Sequence, residues 1–333
     1  MNFGATASAI LRVSLPAGLA LLLMATAAGA AEPAWRPTKA VELVAINAPG
    51  GGSDRILRLM VKVFQEQKAM EVPVNPVNKP GGGGAVAYAY INQQSDGHYL
   101  VLANKSMLTN NIVGRGPSYT EFTPVANIFG EYISVTVKPD SPIKSGVDLI
   151  ERLKKDVNSV SLGIATSIGN PNHQGVAIAF SLAGIDIKKT RNAIFPSGGA
   201  ATTAVMGGHV DVAPVTAAFA ASLARNGQVR VLAVAAPRRL GGALADVPTW
   251  RELGYDAVVS NWRAFLGTKK MTPAQVTYWE NTFRRLSESE EWKKELAENL
   301  WLNDFLPGAE VRKQMDRDDA QLRVFLKELA LTK

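Results

Sequence analysis

The chain reads as an α/β protein with mostly parallel sheets flanked by helices. Two observations predict this. After residue 40, short apolar runs alternate with segments whose apolar residues recur at helical spacing. Two glycine-rich turns, Ala48-Pro49-Gly50-Gly51-Gly52-Ser53-Asp54 and Lys79-Pro80-Gly81-Gly82-Gly83-Gly84-Ala85, each stand between such a run and such a segment. That is the carboxyl end of a strand, where parallel sheets bind their ligands.

Val41–Ile46 is a continuous apolar run and predicts a buried strand. Ile56, Leu59, Met60, Val63 and Phe64 follow on one helical face, with Ser53 or Asp54 available as cap. Val72–Val77 predicts a strand near an edge, because Pro73 and Pro76 lack the ladder N–H. The second glycine turn opens a helix with Val86, Tyr90 and Ile91. Ser95-Asp96-Gly97 then turns into the strand Tyr99–Ala103. Residues 110–131, with Gly114, Gly116, Pro117 and Pro124, predict loops. Ile133–Val137 predicts a strand, and Ser145 caps a helix from Val147 to about Lys155. Val160–Ala165, Val210–Pro214 and Val229–Ala235 predict further strands, separated by helices near His173–Leu182, Ala200–Met206 and Ala217–Arg225. Two late helices carry the stripes Val276, Trp279, Phe283, Leu286 and Val311, Met315, Leu322, Phe325, Leu326.

The N-terminus predicts a secretory signal. Arg12 is the only charge in its first thirty residues, Leu15–Ala28 is apolar, and cleavage is expected near Ala30 or Ala31. The apolar stretch is short for a membrane span. With no cysteine in the chain, neither a lipidated Cys nor a disulfide is available, so an exported, unanchored protein is expected. The net charge is +7, but the basic residues are scattered and lack interleaved aromatics, which excludes a nucleic-acid surface.

Catalytic motifs are absent. The three histidines, His98, His173 and His209, share no helical ligand spacing, so no metal is expected. There is no G-x-S-x-G and no Gly-Lys dipeptide, and Arg55 stands where a dinucleotide fingerprint needs its last glycine, so no cofactor is expected. Binding character lies instead in strand-to-helix loops rich in donors. Glycines before a helix leave its first N–H groups open at the positive end of the dipole, which favours a bound anion. Besides the two glycine turns, such loops carry Asn104, Lys105 and Ser106, then Ser167, Gly169, Asn170 and His173, then Ser197 and Gly198. Lys105 faces two readings, contact with a second anionic group of the ligand or exposure to solvent.

These residues resemble a known family, the Bug or TctC-like extracytoplasmic receptors of tripartite tricarboxylate transporters. The resemblance spans almost the whole mature chain. It rests on Pro49-Gly50-Gly51-Gly52-Ser53-Asp54, Asn78-Lys79-Pro80-Gly81-Gly82, Asp96-Gly97-His98-Tyr99-Leu100 and Gly207-Gly208-His209-Val210-Asp211. Val231-Leu232-Ala233-Val234, the segment from Asp246 to Gly254 and Asn261-Trp262-Arg263-Ala264-Phe265 complete it. It implies a two-lobed periplasmic binding protein, type II-like, with the ligand in the cleft between lobes. Residues 32–132 and 254–333 would form lobe 1 and residues 133–253 lobe 2, with crossings near residues 131–138 and 250–262.

A ligand carboxylate would rest on the backbone of Pro49, Gly50, Gly51 and Gly52 and of Gly81, Gly82, Gly83 and Gly84. The loops of Ser167, Gly169 and Asn170 and of Ser197 and Gly198 would close from the other lobe, and Thr216 completes the candidate set. Asn47 stands where the family often has an aromatic, and Ser167-Ile168-Gly169-Asn170 replaces a common Gly-x-Gly-Ser. These departures leave the carboxylate open among mono-, di- and tricarboxylates.

A monomer is expected, delivering its ligand to membrane permease subunits. The alternatives are an exported hydrolase using Ser167 and His173 as nucleophile and base, and a sensor for a membrane signalling protein.

Overall fold

β1 (Val41–Ala45) is buried and leads through the first glycine turn into α1 (Gly52–Glu66). β2 (Val74–Asn78) pairs with β1 in parallel and ends the sheet, as its proline requires. A single 3₁₀ turn, Gly82–Gly84, precedes α2 (Ala85–Asn92). β3 (Tyr99–Asn104) lies parallel on the other side of β1. α3 (Ser106–Ile112) follows, then the long strand β4 (Phe122–Val137) and α4 (Gly146–Lys155). Next come β5 (Ser161–Ala165), α5 (Pro171–Leu182), β6 (Arg191–Phe195), α6 (Gly198–Met206), β7 (Val212–Thr216) and α7 (Ala217–Arg225). β8 (Arg230–Val234) and β9 (Ser260–Thr268) precede α8 (Pro273–Glu288) and α9 (Glu290–Glu298). The short β10 (Leu306–Pro307) enters the final helix α10 (Gly308–Glu328). This computed structural model describes Met1 and residues 35–331, so the expected apolar signal and its cleavage site lie outside the described residues.

The strand order is β2-β1-β3-β9-β4-β7-β5-β6, with β8 and β10 also pairing β4. Two parallel groups, β2-β1-β3 and β6-β5-β7, therefore sit on either side of an antiparallel centre. β4 supplies that centre. Its residues from Phe122 to Tyr132 pair β9, and those from Ile133 to Val137 pair β7. The expected loops over residues 110–131 are thus corrected: α3 ends at Ile112 and β4 begins at Phe122. Pro124 is accommodated where the register with β9 shifts, between Pro124 and Ala126, so the proline marks an irregularity inside a strand. β6 and β9 were not visible as apolar runs. β6 is a half-exposed edge, and β9 carries Asn261 and Arg263 in its buried course.

One hydrophobic core runs through both groups. Val44, Val101 and Tyr88 belong to it together with Ile133, Leu162, Phe180 and Trp250. A second, aromatic layer packs α8 on β9, with Phe265 stacked on Phe283 at 4.3 Å and Trp279 against Phe283 at 5.5 Å. Such pairs add about 0.5–1.5 kcal/mol each beyond their burial. Among the described residues, no helix is long and apolar enough to cross a membrane.

α10 ties the two groups. Asp318 accepts from Lys105 Nζ at 3.0 Å, after β3, and from Trp262 Nε1 at 2.8 Å, on β9. Farther along, Phe325 packs on the His173 ring at 5.9 Å and Glu328 accepts from Ser181 at 3.0 Å, both on α5. Lys105 is only 5 % exposed, and Asp318 is its counter-charge. Asp318→Ala should destabilise the fold by about 3–5 kcal/mol, because it strands a buried ammonium and an indole N–H together. Urea unfolding of the two proteins measures this, and a change below about 1 kcal/mol would show that the pair carries little.

Candidate functional site

Strand register places the site. Asn104, at the end of β3, lies opposite Arg263 of β9, and Thr216, at the end of β7, lies opposite Ile133 of β4. The carboxyl ends of both parallel groups therefore meet the segment of β4 and β9 around residues 129–133 and 260–263. The two glycine turns leave adjacent strands, where Ala45 pairs with Asn78. Asn78 Nδ2 donates to the Asn47 carbonyl at 2.9 Å and ties them together.

The turns differ in what they leave open. In the first, the Gly50 N–H donates to Asp54 Oδ2 at 2.8 Å, the Gly51 N–H to the Ala48 carbonyl, and the Ser53 N–H to Asn47 Oδ1 at 3.1 Å. Gly51 is the N-cap, so neither Ser53 nor Asp54 caps α1, and the helix starts earlier than the side chains imply. Asp54 is buried. The Arg58 guanidinium, with the Gly50 N–H behind it, holds its carboxyl below the usual carboxylate range against that burial. Among the described residues only the Gly52 N–H of this glycine run lacks a partner.

The second turn is more open. Gly81, Gly82, Gly83 and Gly84 all have positive φ, from 56° to 131°. A Cβ at Gly84 would stand 2.9 Å from the Tyr88 ring, so glycine is required by both backbone and space. The N–H groups of Gly81, Gly82 and Gly83 find no partner among the described residues, and these three glycines are exposed. Successive open N–H groups of this kind form an anion-binding concavity.

A cavity of about 540 Å³ opens over the crossing strands. Gly52, Arg55, Ile56 and Leu59 of α1 and Glu295, Glu298, Asn299 and Trp301 line one wall. Thr216, Ala218, Phe219, Ser222 and Arg225 line the other, and Glu131 and Arg263 form the floor. Both helices that begin at this cavity, α1 and α7, have no hydrogen bond from their N-cap side chain. The floor pair is tight, with Arg263 Nη2 at 2.5 Å from Glu131 Oε2, and Asn261 Nδ2 donates to the same oxygen at 3.3 Å. Arg263 Nε, Asn261 Oδ1 and the Tyr88 hydroxyl are buried without partners among the described residues. Burial pushes the Tyr88 phenol up, opposed by the nearby Arg263 charge.

The remaining candidate loops engage their polar side chains internally. Asn170 Oδ1 accepts from the His173 N–H at 2.9 Å, and Ser197 Oγ from the Ala200 N–H at 3.1 Å, so α5 and α6 cap themselves. Asn104 Oδ1 likewise takes the Ser106 N–H. Gly198 approaches Val215, and Gly169 packs on α10, where a Cβ would stand 2.6 Å from Leu326. Lys105 does not point into solvent: it is buried, and Asp318 holds it. His173 is fully buried, and its Nδ1 accepts the Gly169 N–H at 3.1 Å. Ser167 is half-buried and makes no hydrogen bond to His173. A buried imidazole whose accepting nitrogen is already engaged cannot take a proton from Ser167, which removes the geometry the hydrolase reading needs.

The structure thus brings Gly52 and Thr216 to one cavity, and the Gly81–Gly84 turn beside the first turn. Glu131, Arg263, Phe219 and Trp301 were missed. The available signal was a charge within a buried run: Arg263 interrupts Trp262-Arg263-Ala264-Phe265-Leu266.

Known proteins give the same fold. The family model of the tripartite tricarboxylate transporter family receptor matches residues 56–319. A UPF0065 protein of Agrobacterium vitis, from the TAR-I ttuE-ttuC' intergenic region, is 27 % identical over 250 residues, covering 72 % of this chain and 68 % of its own. A TctC solute-binding protein from Polaromonas superposes with a TM-score of 0.75 at 22 % identity, over 89 % of this chain and 100 % of that one. An R. palustris protein solved with adipate gives a TM-score of 0.75 at 19 % identity, over 88 % and 98 %.

His173 generates a pH prediction. Burial lowers its pKa from 6.5 to about 4. The folded state then refuses a proton that the unfolded chain accepts, so stability is full above pH 6.5 and falls as pH drops towards 4, by roughly 3 kcal/mol. In His173→Gln this slope disappears. Urea unfolding at pH 7 and pH 4.5 should show the gap between wild type and variant narrowing in acid. A constant gap would mean that His173 does not titrate in this window.

Proposed function

Because the chain belongs to the family of tripartite tricarboxylate transporter receptors, we propose that it captures a small organic carboxylate in this cleft, in the periplasm, and delivers it to membrane permease subunits. The observation that carries the reading is the open N–H row of Gly81, Gly82 and Gly83, on a turn that leaves the strand next to the one whose turn carries the open Gly52 N–H. A carboxylate is acceptor-only and suits such a row. The adipate held by the R. palustris relative is a carboxylate of this class. Export follows from the signal read in the sequence, and the engaged, buried His173 speaks for binding over catalysis.

Residues 32–132 and 254–333 act as one lobe and 133–253 as the other. β4 supports this division, since its partner changes from β9 to β7 between Tyr132 and Ile133. Closure about this point brings Thr216 and Phe219 towards the glycine turns.

Calorimetry with a panel of organic acids tests the reading. Gly82→Val places a branched side chain on a φ of +56°, with its Cβ 3.0 Å from Ala85, in the middle of the open row. It should weaken the best ligand by roughly 1.5–3 kcal/mol, the value of a hydrogen bond to a charged group. Wild-type affinity in a folded variant would move the carboxylate elsewhere. Solution scattering should show saturating ligand compacting the protein, and identical profiles would mean a rigid pocket.

A further inference from the structure

We propose that the cleft selects a monocarboxylate with a flat aromatic body over di- and tricarboxylates. This rests on the reading that the cleft holds a carboxylate, and it concerns the rest of that ligand.

The charges decide the first half. A second carboxylate needs an unpaired cation in the cleft, and none of the buried cations around it is free. Lys105 is held by Asp318 at 3.0 Å. Arg263 is held by Glu131 at 2.5 Å, the two side chains being 10 % and 11 % exposed. A ligand anion taking Arg263 would leave Glu131 buried without its counter-charge. The two remaining cations, Arg55 and Arg225, are exposed on the two walls, where Glu295 and Glu298 match them in number, Glu298 also facing Lys294 at 3.9 Å. Such solvent-exposed charges attract weakly. The lining therefore has no excess positive side-chain charge. The backbone donors, Gly52 in the lining and Gly81, Gly82 and Gly83 on the neighbouring turn, supply the positive potential, and they match one carboxylate.

The walls decide the second half. Phe219 is 37 % exposed, an unusual state for a phenylalanine, and it faces the cavity from α7. Trp301 lines the opposite wall, with one face stacked on Phe129 at 4.1 Å. Ile56 and Leu59 extend that wall. A flat apolar body covers Phe219 and the open side of Trp301 at once, and burying such rings is favourable.

Isothermal calorimetry of the mature chain with benzoate, phenylacetate, succinate and citrate tests this. The aromatic monocarboxylates should bind at least about tenfold tighter than succinate or citrate. Succinate or citrate binding equally or more tightly overturns the inference and leaves the carboxylate receptor standing. No binding by any of the four, nor by other organic acids, overturns both. Phe219→Ala should shrink the benzoate-to-succinate affinity ratio at least about fivefold, and an unchanged ratio overturns the aromatic contact. Glu131→Gln keeps a hydrogen-bonding side chain but frees the Arg263 charge, and should raise succinate affinity at least about tenfold. No gain in a folded variant overturns the charge argument. Should Glu131→Gln fail to fold, the Phe219→Ala ratio still decides.

Discussion

The structure depends on β4 being one unbroken extended segment with two sets of partners. From Phe122 to Tyr132 it hydrogen-bonds β9, and from Ile133 it hydrogen-bonds β7 and β8. A strand cannot leave one ladder without entering another or exposing its backbone to an apolar interior. The change of partner therefore fixes where the two parallel groups meet, and it fixes that their carboxyl ends meet there. Every feature of the cavity follows from this placement. The glycine turns, the start of α7 and the Glu131–Arg263 pair are brought together by register, although they are scattered along the chain.

The buried ion pairs divide the cations between structure and ligand. Asp318 commits Lys105 to holding α10 against the ends of β3 and β9, and it takes the Trp262 indole N–H as well. Glu131 commits Arg263 to the floor. Pairs of this kind add little net stability over an apolar packing, yet they are costly to break singly. Their value here is definition: a charged side chain with one buried partner has one orientation. Asp54 does the same for the first glycine turn, by accepting the Gly50 N–H and the Arg58 guanidinium together.

Much of this was legible in the sequence. Alternation and glycine turns gave the α/β class and the parallel strands β1, β3, β5 and β7, because buried parallel strands are continuous apolar runs. The prolines in and beside β2 correctly marked an edge. The antiparallel centre was hidden for a physical reason. β4 contains Pro124 and Asn127 and two register shifts against β9, so its first half resembles a loop. β9 buries Asn261 and Arg263 among apolar residues, and such polar interruptions break the pattern that marks a strand. The site was half legible. Backbone donors announce themselves as glycines, so both turns were found. Side-chain partners across the chain do not, which is why Lys105 read as either a ligand contact or a solvent-exposed charge and why Asp318, Glu131 and Phe219 went unseen. Asn170 and Ser197 looked like donors for a ligand, yet each satisfies the start of its own helix.

The starts of α1 and α7, whose N-cap residues give no side-chain hydrogen bond, have an electrostatic consequence for the cavity between them. Each helix start carries roughly half a unit of positive charge. The two stand on opposite walls of one cavity, so their like partial charges repel. An anion placed between them reverses the sign of that interaction, because it attracts both ends simultaneously. A bound anion would then act as counter-ion to both helix starts, so the charge that gives affinity would also favour the approach of the two walls. A neutral analogue of identical shape would fill the space but leave the repulsion in place.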